Sequence, residues 1–449
     1  MFTSLFARLA PAEAPDSTLA RTREWLGVAG LCLFSFFALL GIAGANLGLA
    51  LMLIALLLSP EAWRRLLRQP LFRLCLLVIG YIALRTVWPA AESAGEPQTQ
   101  ANRAMDWAWL FLFFIPAWWL SRAPNRIVLS LSLMFSGFAL GIVSSLDSAA
   151  ISGLQEGVRS GFHFGKAIIF GFDCAAAILA LLILVFYWLR PGVTVTRSRQ
   201  AALIGLTILA MLFFTQGLIA SQSRGVWLSI LVALPVALTT LRLGRTQDQH
   251  DTRQHPAVLT GILVLTALVL ALNWNTITQR MQYERQELGV VVSEGLEAAP
   301  LGSSTYRLHL WKFGLEKWLE KPLLGWGPGT THAMIEAEND IALQYLDGIS
   351  FDHLHNAYLE VLFQLGIAGL VLMTAVCALM LWMTIQAYRK QRLSIYLLAF
   401  LLSNFVLIAV YSLTDFRHMN WNWRFYWLII AGITLACSLA ENTSAVRRS

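Results

Sequence analysis

Residues 166–189 read KAIIFGFDCAAAILALLILVFYWL, a run in which Lys166 and Asp173 are the only charged side chains. A helix needs about 20 apolar residues to cross the hydrocarbon of a bilayer, and this run supplies them. Working outward along the chain, eleven further runs of the same kind lie at 26–42, 46–59, 71–88, 107–121, 127–147, 201–221, 225–241, 257–273, 366–387, 393–412 and 421–439. Composition agrees with them. The 449 residues are 57% hydrophobic and 13% charged, where soluble domains carry about 25% charged residues. Mean hydropathy is +0.61. The expected fold class is therefore all-α, a polytopic membrane protein with about twelve transmembrane helices.

Several other classes fall away on the same reading. The five cysteines (Cys32, Cys75, Cys174, Cys377 and Cys437) all lie in apolar runs. There they act as small hydrophobes, with neither disulfide nor metal-ligand spacing. The net charge of +7 invites a nucleic-acid partner, but no basic stripe with interleaved aromatics accompanies it, so no nucleic acid is expected.

Where the charge lies is more informative than its sum. With the N-terminus in the cytoplasm and the runs alternating, 20 of the 33 basic residues fall on the cytoplasmic side with 7 of the 26 acidic ones. The other side is left with an acidic excess. Such a split is what the positive-inside rule requires, and it puts both termini in the cytoplasm. Cytoplasmic connections are short and basic. On the outer side one connection, 274–355, is far longer than usual, and loops of that size commonly carry function. The chain thus divides into helices 1–9 over 1–273, an outer helical segment over 274–355, and helices 10–12 over 356–449.

Basic residues in apolar settings mark the outer face. Arg224, in Ser221-Gln222-Ser223-Arg224-Gly225, sits between two runs that leave almost no loop. It is either a snorkelling interface arginine or a site residue, and ionisable groups held this tightly in membrane helices are functional by default. Segment 304–320 reads as an amphipathic helix. Leu308, Trp311, Leu315, Trp318 and Leu319 form its apolar face, and His309, Lys312, Glu316 and Glu320 its polar one. Arg307 falls on the apolar side, where a charge needs a carboxylate partner or an anionic ligand. Arg159 and Lys166 flank the glycines Gly161 and Gly165 at the entry to an apolar helix, a setting that favours anions. Arg85, near the outer end of its run, fits snorkelling equally well. In Asp352-His353-Leu354-His355-Asn356, two imidazoles and a carboxylate suggest a metal, but no third ligand stands at helical spacing. A single neutral histidine acting as general base suits the pattern better. The residues alone do not choose between His353 and His355.

Two stretches then carry a resemblance. One is Arg307 and Trp311 followed by Pro322-Leu323-Leu324-Gly325-Trp326-Gly327-Pro328-Gly329. The other is His355-Asn356-Ala357-Tyr358-Leu359-Glu360, continuing to Gln364-Leu365-Gly366-Ile367-Ala368-Gly369-Leu370. With Ser223-Arg224-Gly225, they resemble the O-antigen ligase and polymerase superfamily of bacterial envelope glycosyltransferases, over about 150 residues from Ser221 to Leu370. Arg159-Ser160-Gly161 looks like the family's upstream Arg–Gly motif, with Gly165-Lys166 where Pro-Asn is usual.

The resemblance implies a GT-C-like membrane enzyme working at the periplasmic face of the bacterial inner membrane, among membrane lipids. Its donor would be O-antigen linked to undecaprenyl pyrophosphate, and its acceptor lipid A-core. It implies His355 as the base and Arg224 with Arg307 on the pyrophosphate. Arg159, Arg85, Lys166, His353 and Asn356 are the further expected contacts, with no metal and no cofactor. An O-antigen polymerase or a protein oligosaccharyltransferase would share the chemistry. A transporter of lipid-linked glycan would instead use a mid-membrane ionisable group such as Asp173, and a non-enzymatic scaffold would need no arginine on an apolar stripe.

Overall fold

The computed structural model describes residues 17–88, 97–190, 195–245, 255–338 and 351–440. Among them the chain is helical with no strand. That is what lipid demands, because a helix satisfies its own backbone polar groups where water cannot. All twelve apolar runs fall on helices. Among the described residues, seven helices are long and apolar enough to cross a membrane. The number rises to nine if two bent pairs, Ile42–Leu57 with Pro60–Arg68 and Thr260–Leu272 with Trp274–Glu294, each count as one span. The expected twelve spans are therefore not reached by length and apolarity. Thr18–Phe37 carries Arg21, Arg23 and Glu24, Ile395–Tyr411 has 17 residues, and Trp421–Leu439 opens on a polar turn with Asn422 and Arg424.

Ala167–Trp188 is the hub. It is buried over most of its length and packs against Arg197–Ala220, Arg224–Arg245 and Ile395–Tyr411. Its alanines (Ala175, Ala176 and Ala177) are fully buried, and small residues of this kind let membrane helices approach closely. The same device joins Thr18–Phe37 to Ile42–Leu57. A Cβ on Gly48 would lie 2.3 Å from the backbone nitrogen of Phe34. Asp173 on the hub helix is fully buried and neither carboxylate oxygen has a hydrogen-bond partner among the described residues.

One end of the bundle is closed by an interlock between two sequence-distant motifs. Ala357–Arg389 is broken at Gly366, whose φ of 65° is unsuited to a residue with a side chain. The Pro322–Gly329 turn fills the break. Trp326 and Gly327 donate their backbone N–H groups to the carbonyls of Phe363 and Gln364, each at 2.9 Å, while Ile367 and Ala368 donate to Pro322 and Leu323 at 2.9 and 3.1 Å. Four backbone groups beside the break are thus re-paired, as burial favours. A Cβ on Gly366 would meet the Leu323 carbonyl oxygen at 2.3 Å, so the motif glycine is there for contact as well as for its torsion.

The long connecting segment forms helices Trp274–Glu294, Ser303–Glu320 and Thr331–Glu336; residues 339–350 lie outside the described part. Ser303–Glu320 differs from its expected orientation. It buries Tyr306, His309, Leu310 and Phe313 against Leu354, Leu359 and Phe363, whereas Leu315 and Leu319 are exposed. The physical reason is the solvent. Beside a bilayer the most apolar stripe of a helix is free to face lipid, so it does not identify the protein-facing side.

Candidate functional site

Four arginines converge on one cavity of about 220 Å³ next to the interlocked end. Arg224 begins helix Arg224–Arg245, Arg307 lies in the first turns of Ser303–Glu320, Arg280 comes from Trp274–Glu294, and Arg159 from the loop before the hub helix. Their partners are few. Arg224 pairs with Glu284 and donates to the hydroxyls of Ser303 at 3.2 Å and Ser304 at 3.4 Å. Arg307 donates to the Ser303 carbonyl at 2.8 Å, its Nε is buried without a partner, and no carboxylate pairs with it among the described residues. Arg159 reaches the Ser221 carbonyl at 3.0 Å. Its pKa is lowered to about 10 by burial and then by Arg280, Arg307 and Arg224. Mutually repelling guanidiniums with serines for company are arranged for an anion that is not part of the chain.

The scaffold behind them is well determined. Glu287 caps Ser303–Glu320 by accepting from the backbone N–H of Ser304 (2.8 Å) and Thr305 (2.7 Å). That carboxylate at a helix N-terminus is favourable, and it fixes the turn from which Ser303, Ser304 and Arg307 project. Among the described residues, non-glycine side chains with positive φ are Phe162, Gln222, His355 and Gln391. Three of these four lie in the loops that carry Arg159, Arg224 and the histidines. Backbone strain held in place this way clusters at functional sites.

His355 abuts the arginine cavity through Asp415. Its Nδ1 lies 3.0 Å from Asp415 Oδ1, which leaves Nε2 for an incoming group. His353 bonds Asp352 through Nδ1 and lies 3.5 Å from the same Asp415 oxygen through Nε2. Burial opposes charge on every member, yet the cluster settles it. Arg417, His353 and His355 hold Asp415 well below the usual carboxylate range in spite of its burial. Burial would lower His353, but hydrogen bonds to Asp352 and Asp415 raise it above the ordinary value. His355 is pushed down to about 3 by burial and by the charge on His353, against the pull of Asp415. The two imidazoles, 4.2 Å apart between centroids, are therefore shifted in opposite directions, with the proton favoured on His353 over His355.

Glu360 holds this loop to the interlock. It accepts from the Leu354 N–H at 2.8 Å, from Thr331 Oγ1 at 2.6 Å and from Gln364 Nε2 at 2.6 Å. Asn356, expected at the substrate, caps Ala357–Arg389 instead, accepting from the N–H groups of Tyr358 and Leu359. Arg85 also has another task. Buried, it donates to the carbonyls of Leu324 and Gly325 at 3.1 Å each and so straps the interlock to helix Pro70–Val87. Lys166 and His353 line a second cavity of about 320 Å³. Sequence reasoning did not find Arg280, hidden in a polar helix, nor Asp415. The dense Asp415-Phe416-Arg417-His418 run in a short connection was the available signal.

The expectation of a metal-free site rested on the lack of a third ligand, and Asp415 supplies one. Ligand atoms of His353, His355 and Asp415 lie within 4.8 Å of one another. In this arrangement each imidazole also faces a carboxylate through Nδ1 and Asp415 faces Arg417 at 3.3 Å, so the trio is a hydrogen-bonded cluster as well as a candidate ligand set.

Residues 209–374 match the family model described as O-antigen ligase. The match spans Arg224, the whole connecting segment, both interlocked motifs and the histidines. No curated protein matches the chain. Members of the matched family are glycosyltransferase-like enzymes of envelope glycan biosynthesis. Arg224, Arg280, Arg307 and His355 all lie inside the matched stretch, so the residues gathered at this site belong to the part of the chain that is similar to the O-antigen ligase family.

Proposed function

We propose that this membrane protein is an O-antigen ligase, moving a glycan from undecaprenyl pyrophosphate to a sugar hydroxyl of lipid A-core at the periplasmic face of the inner membrane. The observation that carries the reading is the four-arginine cavity joined through Asp415 to a neutral histidine. The acceptor oxygen attacks the anomeric carbon as the glycosyl–oxygen bond to pyrophosphate breaks. The hydroxyl proton passes to His355 Nε2, and the bonding electrons leave with the pyrophosphate. Arg224, Arg280 and Arg307 hold that developing charge, with Arg159 behind them. Charged hydrogen bonds of this kind are each worth roughly 1.5–3 kcal/mol. One displacement inverts the anomeric centre.

The low proton affinity of His355 in the free protein has a mechanistic use. Burial and the charge on His353 keep the imidazole unprotonated and so available to take a proton, and a bound anion beside Arg307 would offset the smaller arginine contribution. The Asp415 hydrogen bond keeps the proton on Nδ1 and turns Nε2 outward. No step requires a metal.

The test is direct. Purified protein given lipid-linked O-antigen and rough lipopolysaccharide should build ladders in the presence of a chelator. Full activity in His355→Ala or Arg224→Ala would sink the mechanism, and a metal requirement after chelation would reassign His353, His355 and Asp415 as ligands. Deleting the native gene separates ligase from polymerase: loss of all attached O-antigen supports the ligase, whereas attachment of one repeat supports the polymerase.

A further inference from the structure

The second cavity, about 320 Å³, carries a positive surplus that the pyrophosphate site does not use. Arg103, Lys166, Arg417 and Arg424 line it, against Asp352 and Glu360. Both carboxylates are engaged, Asp352 by His353 and, at 3.8 Å, by Arg103, and Glu360 by Thr331, Gln364 and the Leu354 N–H. Arg103 and Arg424 share Asp106, at 3.7 and 2.6 Å, and Arg417 faces Asp415. Lys166 has no carboxylate within ion-pair distance among the described residues. His353, 5% exposed, also lines this cavity, and its Nε2 lies 3.5 Å from Asp415. Half-buried Trp421 and the ring of Phe416 supply flat apolar walls.

The placement of this cavity gives it a role. Thr414 and Asp415 face the arginine cavity, while the next two residues, Phe416 and Arg417, face the second one. Ile168 and Lys166 divide in the same way at the start of the hub helix. Asp415 on the first side and His353 on the second thus lie between two cationic chambers. A displacement that inverts its centre needs the leaving group and the nucleophile on opposite sides of the reacting carbon. With the leaving group among the arginines, the nucleophile belongs in the other chamber.

We propose that the second cavity is the acceptor subsite and that it selects an acidic sugar, one bearing phosphate or carboxylate, with its ring against Trp421. The inference rests on the transfer reaction proposed above, but its test reads binding as well as turnover. The probe is core oligosaccharide freed from lipid A, used native, dephosphorylated or carboxyl-reduced, and titrated into the full-length protein in detergent while tryptophan fluorescence is followed. Native oligosaccharide should bind, and Lys166→Gln or Arg103→Gln should weaken it by about tenfold each. The variants should leave the KM for the lipid-linked donor unchanged and raise the acceptor KM. Loss of tightness on dephosphorylation identifies phosphate, and loss on carboxyl reduction identifies carboxylate. An oligosaccharide stripped of both groups that binds as well as the native one would overturn the proposal. So would a Lys166→Gln effect confined to donor KM. Acidic-glycan binding without any transfer would leave this subsite standing and remove the ligase reading.

Discussion

Arg126 and Arg307 are both drawn away from water near the starts of helices, at opposite ends of the bundle, and they are treated very differently. Arg126 is fully buried and satisfied from within the chain, donating to Glu24 Oε1 at 2.6 Å and to the Trp119 carbonyl at 3.1 Å. Arg307 has serine and backbone partners only, an orphaned Nε, and three other arginines around its cavity. The first is a closed account of charge in which nothing is left for a ligand. At the second, folding leaves charge uncompensated, and a site that waits for an anion is the physical reason to keep it so. Burial alone does not separate these two arginines; the partners beside each do.

Several measurements break or sharpen that contrast. The largest effect is expected for His355→Ala, a loss of transfer of roughly 10²–10⁴-fold, the range for a general base, with an unchanged thermal melt outside the acid range. Arg307→Ala should cost at least about 10²-fold in turnover, as removal of a preorganised charge donor does, again with the fold intact by melt and by gel filtration. Arg126→Ala should do the reverse. Glu24 would keep only its longer pair with Arg122, at 3.6 Å, so the loss should approach but not reach the roughly 3–5 kcal/mol of a fully stranded buried charge, read as a fall in melting temperature. The pair Glu24→Gln with Arg126→Met should recover much of it. If Arg126→Ala lost activity while melting normally, the division between the two ends would fail. Asp415→Asn should lower turnover by roughly 10–10²-fold through a misdirected imidazole tautomer, without changing donor affinity.

The smallest expected effect is on pH dependence. His355 has its folded pKa lowered to about 3 from an ordinary 6.5. As pH falls below 6.5 the unfolded chain takes up a proton that the folded one refuses until about 3, so stability is lost across that window. His353 has the opposite sign: its pKa is raised, so its contribution is complete below 6.5 and disappears as pH rises through the folded value. Asp415, depressed, contributes above 3.8 and is lost as pH falls through its folded value. Melting temperature against pH should therefore peak near neutrality. His355→Gln should flatten the acid limb and His353→Gln the alkaline one.

Much of the fold was legible because the bilayer writes it in long runs that need no distant contact to interpret. Arg224, Arg307 and His355 were legible for a similar reason, since charges beside apolar runs stand out locally. What stayed hidden depended on tertiary placement. Asp415 stands 60 residues from His355 with no spacing to connect them. Arg280 lies among Gln279, Gln282 and Arg285 on a helix that reads as a solvated face. Arg85 and Asn356 look like site residues in one dimension, and only the three-dimensional arrangement shows Arg85 donating to backbone carbonyls and the Asn356 side-chain oxygen accepting from backbone N–H groups. The orientation of Ser303–Glu320 was misread because hydrophobicity does not distinguish a lipid-facing stripe from a core-facing one.

The bond between His355 and Asp415 also has a consequence for biogenesis. A nascent chain that has emerged only as far as Arg389 already contains the entire family match at 209–374 and every arginine of the first cavity. It still has nothing to orient its imidazole. The carboxylate arrives with the connection after Ile395–Tyr411, so competence is withheld until the penultimate helix has been inserted.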